Sequence, residues 1–279
     1  MSKADEPTFD DAVEAFEDGD AETALDILDG LMPEDLDDAP VELIYLAAEC
    51  LLDMQEPQEA ADLLEIALAR EPDEPSLLHS HGIAMFELGK LDLAKARFEA
   101  ASAAEPALGE AWFYLGILAE RTGDDAAAQA FFQRGVDTDP ENLALPVDWS
   151  KEQVESTWRD IVEEAPQPLS GWWGSLAVSI EDLPSTEQIG ADSDPVSPLV
   201  HCLFVGGEKT IPAGEDVDGW FGAAPDRVVV FRKNLGKSAL EEADLHAELR
   251  EAMLWETLDF LGLEEPHLDA LGLLEDDED

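Results

Sequence analysis

The chain has 279 residues, 45% of them apolar and 29% charged, which suffices for two domains that each bury a core. Its 67 acidic and 15 basic residues leave a formal net charge of −52. Such a surface repels nucleic-acid phosphates and anionic lipid headgroups, so neither nucleic acid nor a membrane surface is an expected partner, whereas a basic partner would be attracted. The acid is spread along the whole chain, which reads as surface hydration of the kind that suits high salt.

The opening stretch MSKADEPTFDDAVEAF has no basic start followed by an apolar run, and no segment approaches the roughly 20 apolar residues of a membrane helix. The expected location is therefore cytoplasmic. Cys50 and Cys202 fall in different segments and make no disulfide framework.

In chain order, a loose helix pair is expected over about 7–34, with Gly19 in its turn and Ala24 at a small-residue site. The loop MPEDLDDAP follows and breaks the phase. From there a 34-residue period runs through Pro72, Pro106 and Pro140, through Ala60, Ala94 and Ala128, and through Leu64, Phe98 and Phe132. Gly82 and Gly116 share one phase, Gly89 and Gly123 another. Small residues let paired helices approach closely, proline ends the second helix of each pair, and stacking of neighbours makes the core.

This pattern, with Trp112, Leu115 and Gly116 in AWFYLG, resembles the tetratricopeptide repeat, in units of about 41–74, 75–108 and 109–142. The resemblance implies an all-α superhelix over 1–142 whose first helices line a concave groove that holds a protein or peptide ligand. Mapped onto this chain, the groove positions are Tyr45, Glu49, His79, Ile83, Phe86, Phe113 and Ile117. For each of them, ordinary packing between helices is the alternative. The lysine and asparagine set with which some family members clamp a terminal carboxylate is missing, and His79 and His81, two apart on a helix, make a poor metal pair.

Beyond DTDPENLALPVDWS the period stops. KEQVESTWRDIVEEA reads as an amphipathic helix, SLAVSIEDLP and LVHCLFVGG as strands, and DRVVVFRK as a buried strand. A long helix is expected over about 238–261 and a short one near EPHLDALG, so 143–279 reads as a small α+β domain with an acidic tail. The order of elements, with VSIEDLP, APDRVVVFRK and FLGLEEPHLDALG, resembles the minimal zincin-like metallopeptidase domain found in many bacterial proteins.

Active members of that family carry H-E-x-x-H-x-x-G-x-x-[DE] on the last long helix, with two histidines and an outer acid on zinc and the glutamate as general base. Here those positions hold Trp255, Glu256, Asp259, Gly262 and Glu265. The base, the turn and the outer acid are kept, and both imidazoles are gone. Indole has no lone pair for a metal, and Trp255 is expected to fill the space where relatives hold zinc. Asp259 and Glu265 would hold Mg²⁺ or Ca²⁺ weakly at best. His201, His246 and His267 lack the spacing of a ligand pair. The resemblance so amended implies a non-catalytic, protein-binding adaptor without zinc. The alternatives are a metal-dependent peptidase with atypical ligands, and a tail domain that docks on the repeats through Arg227, Arg232, Lys233 and Lys237.

Overall fold

The computed structural model describes residues 7–190, 196–207, 221 and 224–263. It divides into two units, Met1–Leu143 with Thr186–Pro198, and Ala144–Ser185 with Leu199–Asp279.

The first unit is a series of helix pairs: α1 (Phe9–Glu17) and α2 (Ala21–Leu31), α3 (Val41–Asp53) and α4 (Pro57–Arg70), α5 (Pro75–Glu87) and α6 (Leu91–Ala104), α7 (Gly109–Arg121) and α8 (Asp125–Thr138). Thr8 and Asp11 form a capping box on α1, Asp20 caps α2, and Asp124 caps α8. The turns inside the pairs need a left-handed residue. Gly19, Gly89 and Gly123 supply it, and in the second pair Gln55 takes the same conformation at φ 60°.

Packing explains the small-residue phase. A Cβ on Gly82 would lie 2.7 Å from the ring of Phe98, and one on Gly116 would lie 2.6 Å from the ring of Phe132. Each glycine is thus the seat of the aromatic residue that its own partner helix contributes. Gly116→Leu should therefore displace Phe132 and destabilise the array by about 1–3 kcal/mol in chemical denaturation; unchanged stability would show that the seat is looser than these distances.

Within this unit the short helix α11 (Thr186–Ile189) buries Ile189, Arg121 donates to the Pro198 carbonyl at 3.4 Å, and Ser197 hydrogen-bonds the carboxylate of Glu87. The sequence pattern did not foreshadow this addition to the repeats.

The second unit holds α9 (Lys151–Glu164), α10 (Leu169–Trp173), β1 (Ala177–Glu181), β2 (Cys202–Val205), β3 (Arg227–Phe231), α12 (Arg232–Ser238) and α13 (Glu242–Leu261). Among the described residues the sheet order is β1-β3-β2, with β3 parallel to β1 (Val229 opposite Ser179) and antiparallel to β2 (Val229 opposite Leu203). Central β3 buries Val228 to Phe231 completely, as a strand covered on both faces must. Its core gathers Trp158, Trp172, Trp173, Leu249, Met253 and Phe260.

Two boundaries differ from the sequence reading. The strand stops at Phe231 because Arg232 turns into a helix, where its guanidinium pairs with Asp182 at 2.7 Å and with Asp148. The long helix starts at Glu242, after an extended break at Ala239 and a capping box of Glu241 with Asp244. No helix among the described residues is long and apolar enough to cross a membrane.

Candidate functional site

Two places collect the residues that sequence reading nominated, one in each unit. In the repeats, the 34-residue period sets Tyr45, His79 and Phe113 at equivalent places on α3, α5 and α7, and does the same for Glu49, Ile83 and Ile117. Their environments differ. Tyr45, Glu49, Ile83 and Phe113 are half-buried; Phe86 and Ile117 are buried and serve as packing, and His79 is buried with its Nε2 3.6 Å from Glu110 Oε2. Phe113 tilts against Phe132 at 4.9 Å, and Phe86 meets Tyr114 edge-on at 5.4 Å.

Around Tyr45 and Glu49 the helices bring in two polar groups that sequence reading missed, Ser80 and Glu110, and a third, Tyr114, lies against His79 and Phe86. Burial raises the Glu49 carboxyl, the hydroxyls of Ser80 and Tyr45 oppose that rise, and the charge of Glu110 adds to it. Burial also raises Glu110. Tyr114 stacks on Phe98 with centroids 4.6 Å apart, and burial with the charges of Glu87 and Glu110 pushes its phenol well up. Burial brings His79 and His81 down to about 4, so both are neutral at neutral pH. Helical spacing alone, Glu110 three residues before Phe113 on α7, was the available signal for Glu110. A shallow apolar depression of about 400 Å³ between Phe9, Leu31, Pro40, Glu42 and Leu43 includes none of the nominated residues.

In the second unit α13 carries Trp255, Glu256 and Asp259. The indole of Trp255 does not fill an internal space. It is 51% exposed, and its N–H reaches back along the helix to Glu251 Oε1 at 3.3 Å. Asp259 is also exposed. Glu256, half-buried, turns the other way and accepts the backbone N–H of Phe204 on β2 at 2.6 Å. Gly262 closes the helix in the left-handed conformation that the motif turn requires, at φ 61°. Glu265 and His267 lie outside the described residues.

These groups do not fit zinc. Trp255 has no donor lone pair, Glu256 is engaged by the sheet, and among the described residues that face offers only the carboxylates of Asp259 and Glu251, with no nitrogen or sulfur donor. Among the described residues no three His, Cys, Asp or Glu side chains converge on one point. Cys202 is fully buried, and burial with the nearby Glu256 charge holds its thiol well above the usual range, so it is no thiolate ligand. His246 sits 3.0 Å from Glu164, away from the motif.

One other constellation has the outline of a catalytic set. Ser238 Oγ lies 3.3 Å from His201 Nε2, and His201 Nδ1 lies 3.5 Å from Glu248 Oε2. An acyl-transfer site also needs amide donors aimed at the developing oxyanion. The amides just after Ser238 are occupied: Ala239 donates to Leu235 O, and Leu240 and Glu241 both donate to Asp244. The three residues therefore form a polar tie between elements.

Geometry thus defines a helical-hairpin repeat array and a small α+β unit with a motif-bearing helix. Comparison with known families finds one match chiefly in each unit. Residues 79–142 match the tetratricopeptide repeat, and residues 174–273 match the zincin-like metallopeptidase family. The chain therefore combines a tetratricopeptide repeat array with a zincin-like metallopeptidase domain.

No curated protein matches the chain. Among solved structures, a crystal structure of MamA is similar at 17% identity and TM-score 0.41, over 46% of this chain and 74% of that one. YrrB, described as a TPR protein with an unusual peptide-binding site, is similar at 17% identity and TM-score 0.41, over 47% of this chain and 67% of that one. A MamA double mutant reaches 59% of this chain and 86% of its own at 20% identity and TM-score 0.41. Likeness of this degree carries no information about ligands.

Proposed function

We propose that the chain is a non-catalytic adaptor that holds a protein or peptide on the first-helix face of its repeats, with a zincin-like domain that no longer carries zinc. Tetratricopeptide repeats suggest protein binding in general, and the half-buried Tyr45, Ile83 and Phe113 supply an apolar surface for it. The observation that carries the second half is the orientation of α13. Its would-be base, Glu256, is spent on the Phe204 amide, and the two places that hold imidazoles in active relatives present an indole and a carboxylate to solvent. A carboxylate without a metal-bound water has no activated nucleophile to deprotonate.

The tagged chain and its Tyr45→Ala/Phe113→Ala variant test the binding half. Retained proteins from native lysate, identified by mass spectrometry, should form a discrete set that the variant loses by about tenfold, as removal of two aromatic anchors would. Phe86 is left intact because it is fully buried and its loss would unfold the array. An identical set from a folded variant would remove the groove from the account.

A further inference from the structure

We propose that the cluster of Tyr45, Glu49, His79, Ser80 and Glu110 receives a lysine or arginine side chain of the peptide on the first-helix face. The inference rests on the groove reading above and adds the chemistry of its occupant.

Three helices build this cluster. Tyr45 and Glu49 stand one turn apart on α3, His79 and Ser80 come from α5, and Glu110 opens α7. Glu49 is half-buried, Glu110 stands at the exposed side with its side chain 55% open to solvent, and the charge of Glu110 acts on Glu49. Among the described residues neither is paired with a lysine or arginine. Glu110 faces instead the imidazole of His79, whose Nε2 lies 3.6 Å from Glu110 Oε2.

That imidazole does not complete the site. Its side chain is only 9% exposed, and its Nε2 has no hydrogen-bond partner. Glu49 Oε1 is likewise out of contact with water and without a hydrogen-bond partner. Buried polar atoms left in this condition destabilise a protein unless a ligand or water satisfies them. Here the orphan atoms belong to one cluster.

A cationic donor satisfies Glu49 Oε1, and it satisfies His79 Nε2 as well when the imidazole proton sits on Nδ1. It would lie between two like charges that now repel each other, and a guanidinium or ammonium supplies several N–H donors to the carboxylate oxygens. The surrounding rings fit the same visitor. Tyr45, half-buried, borders the site and offers its ring to a cation and its alkyl stem, while Tyr114 packs against His79 at 6.0 Å. An anionic side chain would add a third negative charge, and an apolar one would leave Glu49 Oε1 unpaired.

The test is calorimetric titration of the full chain with decapeptides that alternate leucine with either arginine or citrulline, both N-acetylated and C-amidated. Citrulline keeps the shape of arginine and removes the charge. The proposal predicts that the arginine peptide binds more tightly by about tenfold to a hundredfold, the range expected of hydrogen bonds to charged groups. Glu49→Gln/Glu110→Gln should abolish most of that preference. Glu17→Gln/Glu22→Gln, which removes the same net charge at exposed positions of the leading helix pair, should leave it intact.

Equal loss in both double variants would reduce the effect to overall charge and overturn the proposal. Equal affinity for both peptides, with Tyr45→Ala weakening both, would leave the groove standing and overturn only the cation. A citrulline peptide with a free N-terminus that matches the arginine peptide would assign the site to a terminal amine and overturn the side-chain form. No dependence on Tyr45, Glu49 or Glu110 would overturn the cation site and the groove reading together.

Discussion

Trp173→Ala is expected to lower the stability of the second unit by about 3–5 kcal/mol, a large part of what holds a small domain together. Trp173 is 1% exposed at the centre of the core, and its indole N–H donates to Thr257 Oγ1 at 3.0 Å. That hydroxyl in turn donates to Met253 O one turn earlier on α13. Truncation would open a large cavity and strip the buried Thr257 of a partner on the same helix that carries the zincin motif. Denaturant melting followed by circular dichroism should show the transition of the second unit moved to much lower denaturant. Trp173→Phe, which keeps most of the volume and loses the hydrogen bond, should cost about 1–2 kcal/mol. A loss below 1 kcal/mol for the alanine variant would mean that this core can collapse around the gap.

The second large effect concerns the metal. Trp255→His/Asp259→His would place two imidazoles one turn apart on an exposed face of α13, the spacing that lets both reach one ion. The expected result is a change from no stoichiometric metal to about one zinc per chain after dialysis. Peptidase activity should remain low in this variant, because Glu256 would have to release the Phe204 amide before it could serve a metal-bound water. Zinc bound without cleavage would show that the two ligands alone do not restore the chemistry, whereas efficient cleavage would show that the Phe204 contact does not restrain Glu256.

Much of the architecture can be read directly from the residues, for a physical reason. The period of 34 survives because Gly82 must face Phe98 and Gly116 must face Phe132 at distances that admit no Cβ. The helix starts at Val41, Pro75 and Gly109 accordingly fall where the period places them. The loose leading pair also forms, held by its own caps at Thr8 and Asp20.

What the residues alone could not convey depends on contacts between distant segments. The apolar run of DRVVVFRK has no internal mark that ends it at Phe231; Asp148 and Asp182 supply that mark through Arg232. The sheet order places β3 between β1 and β2 against chain order, and strand composition is silent on such pairing. At the candidate sites, the motif positions on α13 were legible from spacing, but the turn of Glu256 toward Phe204 and the exposure of Trp255 were not. Tyr45, Glu49 and His79 were legible as groove positions, but their meeting with Ser80 and Glu110 was not, because the cluster takes one or two residues from each of three helices. Ser80 and Glu110 carry no signature of their own.

The most direct measurement is the zinc content of the wild-type chain, purified without chelator, saturated with zinc, dialysed and analysed for metal per polypeptide. The account predicts well below one zinc per chain and no zinc-dependent cleavage of a casein substrate. One tightly held zinc per chain, lost on Asp259→Ala together with cleavage of casein, would contradict it and restore the second unit as a working peptidase.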